Sequence, residues 1–257
     1  MSSQSLVSRA AAAPSCGCGG ECTDAAHKGP SSRWSRRGFL ATSAAGAAGL
    51  LAGLGVELSA TSPALAQTSL SPEAALQEML DGNRRFVEGR MTSFNEDLAL
   101  LKRKTVEKQQ PFAALLSCVD SRVPVELVFD QSIGRLFVAR VAGNIATPEL
   151  VASLEYGVAV LGTKAIMVLG HANCGAVQAA IAAKPVPGQI SALYQYLRPA
   201  VDQAGSDLAA AIKANARIQA ALLREASPVI AAHIAQKQLE VVAAYYDLAS
   251  GKVSLLS

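Results

Sequence analysis

Short apolar segments that alternate with helical segments constrain this chain more than any other feature of its sequence. Phe112 to Cys118 and Ala165 to Gly170 are almost wholly apolar, as expected of strands buried on both faces of a sheet. Further strands are predicted over Arg135 to Arg140, Leu239 to Asp247 and Lys252 to Leu256. Because helical segments separate most of these strands, we predict an α/β fold with a mostly parallel central β-sheet flanked by helices.

The first predicted helix forms an N-terminal arm. Ser71, Pro72 and Glu73 supply an N-cap, a proline at the first helical position and an early acid, and an apolar period of 3.6 residues continues to about Val87. The other predicted helices span Asp97 to Gln109, Thr147 to Leu161, Gly175 to Ala183, Gln189 to Gln203 and Ser206 to Ala226, with a last one that opens at Ser227.

Residues 1–66 differ in character from the rest of the chain. Arg36 and Arg37 precede an uncharged stretch rich in Ala, Gly and Leu, and Ala64-Leu65-Ala66 is an A-x-A cleavage signature. This segment resembles a twin-arginine export signal that is removed, and the alternative is an uncleaved anchor helix. We therefore expect residues 67–257 to form one domain, exported to the periplasm by the twin-arginine machinery and outside the membrane in its mature form.

Charge and cysteine content exclude two classes of protein. The chain has 23 Lys and Arg against 20 Asp and Glu, for a net charge of +3, whereas a nucleic-acid-binding protein shows a concentrated basic patch or stripe. Five cysteines are too few for a disulfide-dense scaffold of this size. Cys16, Cys18 and Cys22 lie upstream of the paired arginines, where no predicted strand or helix would hold a metal cluster.

Cys118, His171 and Cys174 are the candidate metal ligands. Cys118 ends the first predicted strand and His171 follows the third, and parallel sheets bind ligands at the carboxyl ends of their strands. Two thiolates and one imidazole suit zinc, and a catalytic zinc has three protein ligands and a fourth position for water. His233, within the last predicted helix, carries no motif and is interpreted as a packed or surface side chain.

Asp120 and Arg122 follow Cys118 closely in the sequence. An arginine fork can hold a carboxylate in one orientation, and a carboxylate held in this way can accept the proton of a zinc-bound water or hydroxide. We therefore predict a catalytic pair. The alternatives are an ion pair that only stabilises the loop and an aspartate that itself occupies the fourth zinc position.

The two motifs together resemble those of the β-class carbonic anhydrases. They are Cys118-Val119-Asp120-Ser121-Arg122 and, about fifty residues later, His171-Ala172-Asn173-Cys174. Similar segments continue over roughly Leu70 to Leu256. The resemblance implies the β-carbonic-anhydrase fold and a zinc lyase with one zinc per subunit. Its implied reaction is the reversible hydration of carbon dioxide to bicarbonate and a proton, by attack of zinc-bound hydroxide.

The same resemblance implies roles for individual residues. Cys118, His171 and Cys174 would bind zinc, and Asp120 and Arg122 would form the catalytic dyad.

Three more residues match the substrate site of the plant-type enzymes. Gln109 matches the glutamine that hydrogen-bonds bicarbonate, and Phe137 and Tyr156 match aromatic residues of a pocket that two subunits share. A homodimer or a higher even oligomer is implied in turn. The alternatives are a surface position for Gln109 and ordinary core positions for the two aromatic residues.

Other functions are compatible with the same residues. A hydrolase of carbonyl sulfide or carbon disulfide would use the same zinc on the same fold, and a non-catalytic protein would keep zinc for structure or regulation. A redox protein would pair Cys118 with Cys174, although their spacing is not the C-x-x-C of thioredoxin-like motifs.

Overall fold

Five strands form one sheet in the computed structural model, which describes residues 68–93 and 98–257. The spatial order is β2-β1-β3-β4-β5; the first four strands are parallel and β5 is antiparallel to β4. The mostly parallel sheet predicted from the sequence is thereby confirmed. The strands are β1 (Ala113–Ser117), β2 (Leu136–Arg140), β3 (Ala165–His171), β4 (Glu240–Tyr246) and β5 (Val253–Leu256).

Eight α-helices flank the sheet in the described part of the chain. They are α1 (Pro72–Val87), α2 (Leu98–Thr105), α3 (Val125–Val128), α4 (Pro148–Ala159), α5 (Gly175–Ala182), α6 (Tyr194–Ala204), α7 (Leu208–Ala226) and α8 (Pro228–Ala235). None of the helices in these residues combines the length and the apolar character that a membrane crossing requires. The predicted export signal, residues 1–66, lies outside the described residues.

The structure differs from the predicted helices in three places. Helix α2 ends at Thr105 instead of Gln109, and Pro111 disfavours a helical conformation in the residue before it. The predicted helix over 189–203 is a short 3₁₀ helix, Ile190–Leu193, followed by α6. Helix α3 was not predicted, because its four residues are too short to show a helical period.

Both faces of the sheet are covered. Successive strand residues point to opposite faces, so Leu115 of β1 packs in a cluster with Met79 of α1. Its neighbour Leu116 packs with Leu154 of α4 and Leu223 of α7 on the other face. Every residue of β1 and β3 is buried, and this double burial holds the ends of the two central strands in place.

Helix α1 packs on the sheet of its own chain. The Ser71 side chain accepts a hydrogen bond from the Ala74 backbone N–H at 3.2 Å, as predicted for the N-cap. The buried side chain of Asn83 donates to the carbonyls of Val128 and Gly251 and accepts from the Val253 N–H. These three bonds tie α1 to α3 and to the start of β5.

The chain reverses its direction of travel across the sheet between β1 and β3. Strand β2 lies on one side of β1 and β3 lies on the other, so the carboxyl ends of β1 and β3 form the switch point at which open α/β sheets bind ligands. His171 is the last residue of β3 and not the first after it, which is a one-residue correction to the predicted strand end. Helix α5 begins at once after Cys174, which is its N-cap.

Candidate metal centre

Cys118, His171 and Cys174 meet at this switch point. Cys118 follows β1 directly, His171 ends β3 and Cys174 caps α5. Their ligand atoms all lie within 4.8 Å of one another, and the three residues are 4%, 0% and 1% exposed. The structure thus gathers, in one buried place, the three residues that the sequence singled out as metal ligands.

His171 has one ring nitrogen free to bind a metal. Its Nδ1 lies 2.9 Å from the Ala172 carbonyl oxygen, and since a carbonyl only accepts, Nδ1 carries the proton. The Nε2 atom is buried and has no hydrogen-bond partner among the described residues. A metal-ligating histidine characteristically donates its other ring N–H to a carbonyl or carboxylate, so this orphaned lone pair fits a metal.

The two cysteines are free and are not joined by a disulfide. A hydrogen bond from the Cys174 thiol holds the pKa of Cys118 well below its usual value, and this outweighs the opposing effect of burial. The same bond, together with burial and the charge on Cys118, raises the pKa of Cys174. A dication would displace the remaining proton. The donor set of two thiolates and one imidazole, with an orphaned Nε2, fits zinc.

Asp120 is held by a two-pronged contact with Arg122. Arg122 donates from Nε to Oδ1 at 2.9 Å and from Nη2 to Oδ2 at 2.7 Å, and its backbone N–H also donates to Oδ1 at 2.9 Å. These hydrogen bonds hold the pKa of Asp120 well below its usual value. The Oδ2 atom lies 3.9 Å from Nε2 of His171, so an ionised carboxylate of fixed orientation faces the ligand cluster.

Arg122 also joins the two motifs. Its Nη2 donates to the Asn173 carbonyl at 3.1 Å, in the segment between His171 and Cys174. Because one guanidinium contacts both segments, the carboxylate and the ligands are placed relative to one another by the same side chain.

Arg140 contributes to the site, and sequence reasoning did not assign it a role. From the carboxyl end of β2, its Nε donates to the Cys118 carbonyl and its Nη2 donates to the Asp120 carbonyl, each at 2.8 Å. These bonds fix the backbone that carries the first ligand and the dyad aspartate. In the sequence, this role is indicated only by the position of Arg140 at the end of a predicted strand. In the sheet, Arg140 lies opposite Ser117, the last residue of β1.

Gln109 and Phe137, two of the predicted substrate-binding residues, both neighbour the third, Tyr156. The rings of Phe137 and Tyr156 are 6.3 Å apart between centroids, and Gln109 and Tyr156 line one cavity of about 410 Å³. The lining of that cavity does not include any residue of the ligand cluster. Gln109 and Phe137 are thus each a neighbour of Tyr156, at a cavity whose lining does not contain a metal ligand.

His233 is not part of the centre. It lies in α8, where its Nδ1 is 2.9 Å from the Val229 carbonyl oxygen one turn earlier. This contact within its own helix matches the interpretation of His233 as a packed or surface side chain.

Comparison with known proteins gives one consistent result. A family model described as carbonic anhydrase matches residues 113–253. "Carbonic anhydrase 2" of Mycobacterium tuberculosis is 33% identical over 193 residues, which are 72% of this chain and 93% of the relative. The carbonic anhydrase of Mycolicibacterium smegmatis is 34% identical over 195 residues, covering 73% and 94% respectively.

Solved structures show the same fold. The β-carbonic anhydrase of Coccomyxa, in complex with acetazolamide, superposes with a TM-score of 0.57 and 28% identity over 70% of this chain and 86% of that one. A chain from the crystal structures of two β-carbonic anhydrases of Sordaria macrospora, described as tetrameric, superposes with a TM-score of 0.59. It is 24% identical over 71% of this chain and 96% of that one.

Proposed function

The chain belongs to the β-class carbonic anhydrases, and from that membership we infer that it catalyses the reversible hydration of carbon dioxide to bicarbonate and a proton. One observation carries this function beyond the similarity itself. Two buried thiols and an imidazole with an orphaned Nε2 meet at the switch point of the sheet, which is the donor set of a catalytic zinc site.

We propose that Cys118, His171 and Cys174 hold one zinc ion in each subunit. When bound, zinc lowers the pKa of a water ligand to about 7 and so supplies a nucleophile near neutral pH. The protein contributes three donors that are already gathered, and the carbonyl of Ala172 selects the tautomer of His171 that leaves Nε2 unprotonated.

We propose that Asp120 orients the reacting water. Its Oδ2 is on the side of His171 Nε2, and as an ionised carboxylate it can only accept a hydrogen bond. Accepting one proton of the water would direct a lone pair of the water toward carbon dioxide. Arg122 holds both carboxylate oxygens, which favours Asp120 as a hydrogen-bond acceptor over Asp120 as a fourth ligand.

We propose that Gln109, Phe137 and Tyr156 serve a substrate pocket that a second copy of the chain completes. Tyr156 is 48% exposed, and Val106, in the same cavity lining, is 80% exposed. Large apolar side chains beside a cavity are typical of interaction surfaces. A homodimer or a higher even oligomer would cover this surface and bring it to a metal centre.

We propose that residues 1–66 direct export through the twin-arginine route to the periplasm. Support comes from the paired Arg36 and Arg37 before an uncharged stretch and from the A-x-A site that ends at Ala66. That route carries folded proteins, so zinc could be inserted in the cytoplasm. Bound zinc would then protect Cys118 and Cys174 from oxidation after export.

Stopped-flow measurement of carbon dioxide hydration, combined with zinc quantitation, tests the proposed function. We expect one zinc per chain and hydration that a strong chelator abolishes and added zinc restores. Turnover of carbonyl sulfide and of carbon disulfide, measured in the same preparation, is compared with that of carbon dioxide. A zinc-loaded protein without hydration activity would contradict the proposal.

A further inference from the structure

Two carboxamide side chains of α7 lie buried behind the metal centre, and the mechanism above does not use them. Asn215 and Gln219 are 1% and 2% exposed. They stand four residues apart and share a face of α7 with Ile212, Ala216 and Leu223, all of which are buried. Polar residues on such a buried face require hydrogen-bond partners, and the identity of those partners indicates what the pair does.

Both side chains bind the loop of residues 141–146, which connects β2 to α4. Asn215 donates from Nδ2 to the Gly143 carbonyl at 2.8 Å. Gln219 accepts from the Ala146 N–H at 2.9 Å through Oε1. Gln219 Nε2 also donates to Asn215 Oδ1 at 3.1 Å, so the two contacts form one connected network.

The same loop contacts a metal ligand. The backbone N–H of Gly143 donates to the sulfur of Cys118 at 3.4 Å. Gly143 has a φ of +79°, a conformation that favours glycine, and a Cβ atom there would make a tight contact of 3.1 Å with Cδ2 of Leu197. Asn215 thus binds the carbonyl of Gly143, and the N–H of the same glycine reaches the Cys118 sulfur.

Helix α7 also packs beside the second ligand. A Cβ atom on Gly170, the residue before His171, would lie 3.3 Å from the Ile212 carbonyl oxygen. This close approach seats α7 directly on the end of β3. The helix that carries the two carboxamides is therefore fixed relative to His171 and, through the loop, relative to Cys118.

We propose that Asn215 and Gln219 are positioning residues of the metal centre. They hold loop 141–146 so that the Gly143 N–H stays on the Cys118 sulfur, where it stabilises the thiolate and orients it toward the ion. This role rests on the proposed function, in which Cys118, His171 and Cys174 hold zinc. Partners that orient the ligands of a metal typically change metal affinity 10- to 100-fold when they are mutated.

Zinc release from the full-length, zinc-loaded protein tests this role. Asn215→Ala removes the donor to Gly143. Gln219→Met removes all three polar contacts of Gln219, to Ala146, Asn215 and the Tyr196 carbonyl, while keeping an unbranched side chain. We expect each variant to release zinc to a chromophoric chelator about tenfold faster than wild type, or more. In cobalt-substituted protein, we expect the thiolate-to-cobalt charge-transfer bands to shift.

Asn83→Ala is the matched control. Asn83 is also a buried carboxamide with three backbone hydrogen bonds, but those bonds join α1 to α3 and β5. We expect this variant to lose stability to urea while keeping the zinc-release rate and the cobalt spectrum of wild type. The comparison separates a role at the metal from a loss of overall stability.

Wild-type release rates and an unchanged cobalt spectrum in the α7 variants would overturn the positioning role. Faster zinc release in the α7 variants would also overturn the role if Asn83→Ala, compared at equal stability, released zinc equally fast. If Asn215→Ala does not fold, Gln219→Met decides by the same two measurements. If the wild-type chain binds no zinc, both the proposed function and this positioning role are overturned. Zinc content of the wild type is therefore measured first, before any variant is compared.

Discussion

At the scale of single residues, the centre depends on hydrogen bonds that leave one lone pair available on each reacting side chain. The Ala172 carbonyl engages Nδ1 of His171 and leaves Nε2 unpartnered. Arg122 engages both oxygens of Asp120 and keeps this carboxylate ionised. Such preorganisation matters because a group already oriented does not have to reorganise during the reaction.

Replacing Cys118 with serine tests the ligand set. Cys118→Ser substitutes a hydroxyl that does not ionise near neutral pH for a group whose pKa is lowered by Cys174. We expect zinc content and carbon dioxide hydration to be lost together, as measured by atomic absorption and stopped-flow assay. A variant that keeps one zinc per chain would contradict the assignment of Cys118 as a ligand.

Replacing Asp120 with asparagine separates orientation from metal binding. Asp120→Asn removes the negative charge of the group that accepts a hydrogen bond from the reacting water, but leaves the three ligands in place. We expect full zinc content and a fall in kcat of about 100-fold or more, the loss typical when one preorganised hydrogen bond at the reacting group is removed.

Asp202→Asn is the control for this substitution. Asp202 is 66% exposed on α6 and pairs only loosely with Arg198, at 4.0 Å, so we expect kcat to stay at the wild-type value. Wild-type activity in zinc-loaded Asp120→Asn would show that the aspartate has no role in orienting water.

Among the secondary-structure elements, the buried carboxylate of Asp130 joins α1 and the segment that follows it to the end of α3. Asp130, just after α3, accepts hydrogen bonds from Arg85 of α1 and from the backbone N–H groups of Thr92 and Ser93. Burial alone would raise the pKa of Asp130, but these hydrogen bonds outweigh it and hold the pKa well below its ordinary value. The contact fixes the segment that follows α1.

Asp130 makes the stability of the protein depend on pH. Because its pKa is lower in the folded than in the unfolded state, its contribution is complete above the unfolded value of about 3.9. It is lost progressively as the pH falls from there through the lower, folded-state pKa. We expect Asp130→Asn to lower the free energy of unfolding by about 2 kcal/mol at pH 7. Urea unfolding at pH 7 and at pH 3 should show that this difference shrinks in acid. A difference that stays constant would contradict the role of the charge.

At the scale of the whole molecule, the metal ligands and the predicted substrate-binding residues lie on different parts of one chain. The cavity beside Gln109 and Tyr156 is lined without any of the three ligands. If the surface beside Tyr156 is the interface that we propose, a second copy of the chain completes the substrate pocket. Activity and oligomeric state should then be lost together.

A charge at Tyr156 tests the proposed oligomer. Tyr156→Asp places a carboxylate on a surface that we propose is covered by a second subunit, and burying an unpaired charge is costly. We expect a lower mass in sedimentation velocity and reduced hydration, with zinc retained. Ile190→Asp, at a similarly exposed apolar residue that does not line this cavity, should sediment as wild type. An unchanged mass for Tyr156→Asp would exclude this surface as the interface.

Replacing both arginines of the leader tests export. In Arg36→Lys/Arg37→Lys protein we expect the full-length chain to accumulate in the cytoplasm, whereas the wild-type periplasmic form should begin at Gln67. Cell fractionation and N-terminal sequencing of the purified protein measure both outcomes. Uncleaved wild-type protein in the cytoplasm would contradict the proposed signal.

Local patterns in the sequence predict the sheet, its flanking helices and the set of candidate metal ligands. Burial pattern and helix caps are local properties, so β1, β3 and α1 could be predicted within a residue or two of their observed ends. The ligand types and their positions at strand ends indicated a zinc site, and the resemblance of the two motifs to the β-class carbonic anhydrases indicated the reaction. The clearest miss among the elements, α3, was too short to carry a pattern.

Contacts between residues far apart in the chain set what supports the site and where the substrate-binding candidates lie. Arg140 reaches backbone 20 and 22 residues away, and Asn215 reaches a carbonyl 72 residues away. Nothing in local periodicity selects such partners, because the packing of α7 and β2 around β1 brings them together. The cavity that Tyr156 lines contains none of the metal ligands for the same reason. The packing of the elements sets which side chains are neighbours, and the spacing of residues along the chain does not encode that packing.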